Sequence, residues 1–179
     1  MTYYGAQQLA DSFRTVRRNT IAIAEEIPEE KYAFKATPEV MSVAQILAHL
    51  AINPEWQIEA HGPNGPSHMD MAFFVGNRQK AAAAEQRLVS KSDILRALTD
   101  GGERFAHFLE SLDDSRLASA VTFAPPAQPP SKTRFEMLLG VKEHEMHHRG
   151  QLMLIQRLLG QVPPLTRQRQ ARAARTARA

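Results

Sequence analysis

The hydrophobic pattern of this 179-residue chain reads as an all-α protein, a four-helix bundle with a long crossover between helices 2 and 3. Four long segments carry apolar residues at spacings of three and four, the repeat that gives a helix one buried stripe. No segment of comparable length alternates with period two, as a half-buried strand would. At 43% hydrophobic, the chain can build one good core and is too short to favour two.

The first helix is predicted over about residues 4–26, where Leu9, Phe13, Val16, Thr20, Ile23 and Ile27 form the stripe and Pro28 stops it. Ser42 is a suitable N-cap for the second, about residues 42–57, which carries Val43, Ile46, Leu47 and Leu50 before Pro54 disturbs it. The third, about residues 91–112 with Ser92 near its start, reads Ile94, Leu98, Gly101, Phe105, Phe108, Leu112. Thr133 with Glu136 three residues on is a capping-box pattern opening the fourth, about residues 133–159. That helix continues Met137, Val141, His144, His148, Leu152, Ile155, Leu159 until Gly160 and Pro163 end it. The long stretch between the second and third helices holds a further helical piece around Met69 to Arg87. The prolines of "APPAQPPSK" read as an extended surface connection.

Composition narrows the function classes. With no cysteine, disulfides, thiolate metal sites and a cysteine nucleophile drop out, so any metal must take His, Asp or Glu. No apolar run approaches the roughly 20 residues of a membrane span, and the first residues have neither a basic leader nor an apolar signal core, so the expected location is cytoplasmic, with no membrane partner. The net charge of +3 comes from the end of the chain: Arg167, Arg169, Arg172, Arg175 and Arg178 account for five of the 22 basic residues, leaving 17 against 19 acidic ones. The division is therefore a bundle domain over 1–165 and an Arg-rich tail over 166–179, read as solvated or partly helical. No specific nucleic-acid partner is expected, since the body lacks a basic excess.

The stretch "KEHEMHHRGQ", Lys142 to Gln151, contains His144-Glu145-x-x-His148, a literal match to the H-E-x-x-H of zinc proteases. His144 and His148 continue the apolar stripe of the fourth helix, so both point inward. At i and i+4 their nitrogens can meet one ion at about 2.1 Å. Two buried imidazoles without partners are costly, and a shared ion removes that cost; a pair satisfied by core hydrogen bonds is the alternative. A zinc protease of this type takes its third protein ligand after the motif, yet residues 149–179 hold no His, Asp or Glu. The protease reading fails there. The third ligand must come from upstream, where His49, His61, His68, His107 and carboxylates are all candidates. Periodicity does not choose among them: His49 lies about 120° from the Val43, Leu47, Leu50 stripe, on the side of Gln45, Ile52 and Trp56.

Two separated segments resemble the DinB/YfiT-like superfamily. "MSVAQILAHLA", residues 41–51, is similar to its first signature, a serine-capped helix ending in a metal-binding His, and "EHEMHHRGQL" to its second, the H-x-x-x-H-R-G-Q segment of the last bundle helix. In motif order and spacing the resemblance covers about residues 5–164. It implies His49, His144 and His148 as ligands of one divalent cation inside a four-helix bundle. Met41 departs from the pattern, which often has an aromatic residue there, and this is expected to affect packing near the cap. The Arg-rich tail has no counterpart.

Three neutral imidazoles leave coordination positions open, as in catalytic sites. Zinc and nickel both suit imidazole, and affinity order alone does not choose. Glu145 lies about 80° around the helix from the midpoint of His144 and His148, within reach of a metal-bound water, and is the candidate catalytic base. His147, about 80° to the other side, is read as an outer or surface group. Trp56 and the Met71, Phe73, Phe74 group are candidate walls of a substrate pocket. The resemblance implies a metal-dependent enzyme of thiol-transferase or hydrolase type acting on a small molecule, with a low-molecular-weight thiol as possible cofactor, and a homodimer. A non-catalytic metal-binding stress or regulatory protein is the alternative.

Overall fold

The computed structural model describes residues 4–177, so Arg178 of the tail lies outside the described residues. The chain is mostly helical. The long helices are α1, Ala6–Glu26, and α2, Val43–His61, then α3, Met71–Glu85, and α4, Lys91–Glu110. A short α5, Asp114–Ala118, precedes α6, Arg134–Leu158, and α7, Pro164–Thr176, holds most of the Arg-rich tail. Helices α1 and α2 each pack against both α4 and α6, while α3 lies on α2.

The caps follow the sequence closely. Ser42 Oγ accepts from Gln45 N at 3.2 Å while Gln45 Oε1 accepts from Ser42 N at 2.8 Å, fixing the start of α2. Thr133 and Glu136 make the same reciprocal pair at the start of α6. The cap of α4 is Ser90, whose Oγ accepts from Asp93 N at 3.0 Å, rather than the neighbourhood of Ser92. Gly160, at φ +78°, takes the left-handed conformation that ends α6.

Two features depart from the expected pattern. A small three-stranded sheet is present: β1, His68–Met69, pairs in parallel with β2, Ala120–Phe123, which pairs antiparallel with β3, Ser131–Thr133. Strands of two to four residues show at most two alternations, too few for a period to register. They cover a minor core of Ala60, Met69 and Val121. Second, α2 does not yield at Pro54 but runs on to His61. A proline inside a helix strips the carbonyl four residues earlier of its donor. Here that carbonyl, Leu50 O, accepts instead from Arg17 Nη2 at 2.8 Å, a buried hydrogen bond from α1. The helical piece expected around Met69 to Arg87 is present as α3, of which only Asn77 is buried.

The main core falls into two clusters. One gathers Ile23, Ile27, Leu47, Leu98 and Leu152; the other gathers Leu9, Phe13, Phe105, Leu109 and Leu138. Along α1, α4 and α6 the positions between these clusters are those of Arg17, Gly101-Gly102 and Glu145. The two glycines make room: a Cβ on Gly102 would lie 2.9 Å from Arg17 Cγ, and one on Gly101 would lie 3.2 Å from Ala51 O. A helix is weakened by such residues, so their presence marks close approach rather than helix preference.

Candidate metal centre

Glu145 belongs to the closed interior. It is 2% exposed and accepts from Arg17 Nε at 3.0 and 3.1 Å and from Arg17 Nη2 at 2.9 Å. Arg17 completes its donors on Leu98 O at 2.8 Å and on Leu50 O. The expected catalytic role of Glu145 is corrected accordingly: a carboxylate whose two oxygens are both taken by a buried guanidinium is a structural ion pair. The reason is the presence of Arg17 on another helix, which the local spacing of α6 does not reveal.

One residue back, His144 meets His49 and His148. His144 Nε2 lies 3.3 Å from His49 Nε2 and 3.1 Å from His148 Nε2, and all three ligand nitrogens are within 4.8 Å of one another. Nitrogens held about 2.0–2.1 Å from one ion would stand about 2.9 Å apart at right angles and about 3.3 Å apart at the tetrahedral angle. The two spacings to His144 fall in that window.

Hydrogen bonding on the far side of two rings strengthens the fit. His49 Nδ1 is 2.9 Å from Glu85 Oε1, and His148 Nδ1 is 2.7 Å from Gln151 Oε1. Both partners are acceptors, so each Nδ1 carries the proton and each neutral ring presents a bare Nε2 lone pair to the cluster. His144 Nδ1 is buried without a partner. Burial above all, and then His148, His49 and His147, hold the His144 imidazole down to about 4, and burial likewise lowers His148 against the opposing effect of Gln151. His144 and His148 are thus neutral at pH 7, and the ring nitrogens converge where no donor for all of them exists among the described residues. A cation is the partner that such a set fits.

The remaining histidines are elsewhere. His61 is buried beside Arg134, His68 is exposed in β1 and contacts Thr122, and His107 is exposed and contacts Glu110. His147 is exposed, with Nε2 at 3.3 Å from Gln151 Nε2. Glu85 is a functional candidate that the sequence did not single out, because it lies in an alanine-rich run; Gln151 stands in the quoted H-x-x-x-H-R-G-Q segment, and its contact with His148 is the part that spacing alone did not give.

His49 also borders a cleft of about 540 Å3 between α2 and α3. Trp56 and Phe74 wall it, whereas Met71, which is exposed, and Phe73, which packs on the minor core, do not. Met41 lines it too, so that residue touches the cleft as well as the packing behind the cap.

A mostly helical chain with three converging imidazoles supplied by two of its helices defines a class, helical proteins with a three-histidine group between helices. The sequence profile of the DinB superfamily matches residues 12–152, and the chain belongs to that superfamily. The crystal structure of a DinB-like protein from Bacillus subtilis is similar at 21% identity and a TM-score of 0.63, over 87% of this chain and 93% of that one. The sibling lethal factor precursor DfsB is similar at 14% identity and a TM-score of 0.62, over 90% of this chain and all of the other. No functionally curated protein matches the chain. No helix among the described residues is long and apolar enough to cross a membrane.

Proposed function

We propose that His49, His144 and His148 hold one divalent cation, zinc or nickel, and that the protein is a metal-dependent enzyme of thiol-transferase or hydrolase type acting on a small molecule in the cleft between α2 and α3. The observation that carries this is the meeting of three Nε2 atoms, two of them obliged to be acceptors by Glu85 and Gln151. A bound ion of this kind supplies a Lewis acid that lowers the pKa of a water or thiol held at its open position. Glu85 and Gln151 fix the tautomer and orientation of their rings, and Trp56 and Phe74 limit the water that reaches the His49 side. The cleft favours an enzyme over a purely structural or sensory ion, because a structural site needs no adjoining substrate space.

The test is metal analysis of purified protein loaded with zinc or nickel, followed by turnover assays with small thiols and electrophiles, with and without chelator. One equivalent of metal in the parent and none in His144→Ala is the expected result. Equal metal content in the two would end the proposal.

Two further readings accompany it. The arrangement of α1, α2, α4 and α6 is a four-helix bundle with α3 as its crossover. The protein is a homodimer, supported by the exposed apolar stripe of Met146, Leu154 and Leu158 on α6, residues that a water-facing helix would make polar. Light scattering at micromolar concentration should give twice the chain mass, and a monomer would remove the dimer reading.

A further inference from the structure

His49, Asn53 and Trp56 face the cleft from α2, and Phe74, Asn77 and Arg78 face it from α3. The hydrogen bonds already made along these walls decide what the polar groups can still do. Asn53 Oδ1 accepts from Trp56 Nε1 at 3.2 Å, leaving its amide N–H groups; Asn77 Nδ2 donates to Phe73 O at 2.9 Å, leaving its Oδ1. Nearby carboxylates are committed: Glu85 to His49, Glu55 to Arg104, and Glu59 to Lys80. Arg78 has neither a carboxylate nor a hydrogen-bond acceptor among the described residues.

An unpaired guanidinium next to aromatic walls is a receptor for a planar anion, since its fork of N–H donors matches a carboxylate in two parallel hydrogen bonds. No second unpaired cation and no helix N-terminus joins Arg78 in the cleft, so a single negative charge fits better than a phosphate dianion. Seven residues separate Arg78 from Glu85, which places Arg78 about 10 Å along α3 from the end where His49 lies.

We propose that Arg78 forms an anion subsite and that the cleft takes an elongated organic carboxylate, its charge on Arg78, its apolar body against Trp56 and Phe74, and a metal-seeking group about 10 Å away at His49. The last element rests on the three-histidine reading; the Arg78 subsite does not.

Trp56 is the sole tryptophan of the chain, so its fluorescence reports the cleft directly. Purified full-length protein, with and without zinc, is titrated with hexanoate, with 1-hexanol of the same length, and with 6-mercaptohexanoate. Arg78 is exposed, so hexanoate should bind about threefold more tightly than hexanol in either metal state, the scale expected of one solvent-screened ion pair. In Arg78→Gln that preference should vanish while hexanol binding and the thermal midpoint stay unchanged. Equal binding of hexanoate and hexanol by the parent, or a preference that survives in Arg78→Gln, overturns the subsite. Zinc should tighten 6-mercaptohexanoate by a further tenfold or more. A preference for hexanoate that depends on Arg78 but no gain from zinc would uphold the subsite and overturn the metal-anchored half; one equivalent of zinc on the protein in that titration leaves the three-histidine reading standing, and none ends it as well.

Discussion

His144 and Glu145 are neighbours on one turn of α6, yet they face regions built on opposite terms. Glu145 and Arg17 have found partners within the protein: the carboxylate takes three close contacts from Arg17, and Arg17 also serves the carbonyls of Leu50 and Leu98. Around His144 the partners are missing: its Nδ1 is buried and unpaired, and its Nε2 faces two nitrogens that are themselves acceptors. Buried polar groups are normally satisfied, so a cluster that is not marks the place where something else belongs. The closed region maintains the fold, and the three imidazoles of the open one could hold a metal ion.

The largest effect should come from opening the closed region. Arg17→Met strands a carboxylate that is 2% exposed, and loss of one partner from such a pair costs about 3–5 kcal/mol. Urea denaturation would measure it, with metal content per folded molecule unchanged. The double variant Arg17→Met/Glu145→Met should recover most of the loss, short by about 1 kcal/mol because Leu50 O still lacks the donor that Pro54 denies it. A double variant no better than the single one would mean that Arg17 acts through the carbonyls and not through Glu145. Loss of metal in either would join the two regions that the comparison separates.

The two histidines of α2 differ in their surroundings. His49 looks into the open centre; His61 is fully buried, its Nδ1 accepting from Arg134 Nη1 at 3.1 Å while its Nε2 has no partner among the described residues. Burial first, and then the Arg134 and Arg116 charges, push His61 down to about 4 from an ordinary 6.5. Below pH 6.5 the unfolded chain takes up a proton that the folded one refuses until about pH 4. The stability due to neutral His61 is therefore complete above pH 6.5 and lost as pH falls toward 4, by up to about 3 kcal/mol. His144 titrates in the same window, so in chelator-treated protein His61→Asn should lower the pH slope of stability by one proton, about 1.4 kcal/mol per pH unit, and leave the remainder. An unchanged slope would show that His61 is not held neutral.

Glu85 tests whether the open centre reaches beyond its three rings. Carboxylates that orient a ligating histidine are worth roughly 10- to 100-fold in metal affinity, about 1.4–2.7 kcal/mol. Glu85→Ala should weaken zinc by that factor in a competition titration with a chromophoric chelator, with the stoichiometry kept at one. Unaltered affinity would detach α3 from the centre.

Much of the closed framework was legible in the sequence, because caps and apolar stripes are local signals. Ser42 with Gln45 and Thr133 with Glu136 predicted two helix starts, and the stripe through Val141 and Leu152 predicted that His144 and His148 point inward. The sheet was not legible, since β1 has only two residues. Neither was the fate of Glu145: about 80° from the histidine midpoint is equally compatible with solvent, centre or core. What decided it was Arg17, more than a hundred residues earlier. Its trace in the sequence was the Gly101-Gly102 pair inside an otherwise well-formed helix, a sign of something bulky crossing there.

The smallest effect is expected at His147, and it bears on which histidine of the pair 147–148 belongs to the centre. Gln151 spans both: its Oε1 is 2.7 Å from His148 Nδ1, and its Nε2 is 3.3 Å from His147 Nε2. That arrangement needs the amide oriented with its oxygen toward His148, and His147, as the acceptor of the opposite end, favours this orientation. Removing His147 takes away one weak, exposed hydrogen bond while leaving Gln151 free to keep its bond to His148. His147→Ala should therefore retain one equivalent of zinc and weaken its binding by less than about threefold, under 1 kcal/mol. Loss of stoichiometric metal would make His147 a ligand in place of His148 and move the centre toward the exposed side of α6, whereas full retention leaves His148, 9% exposed and backed by Gln151, as the inward member.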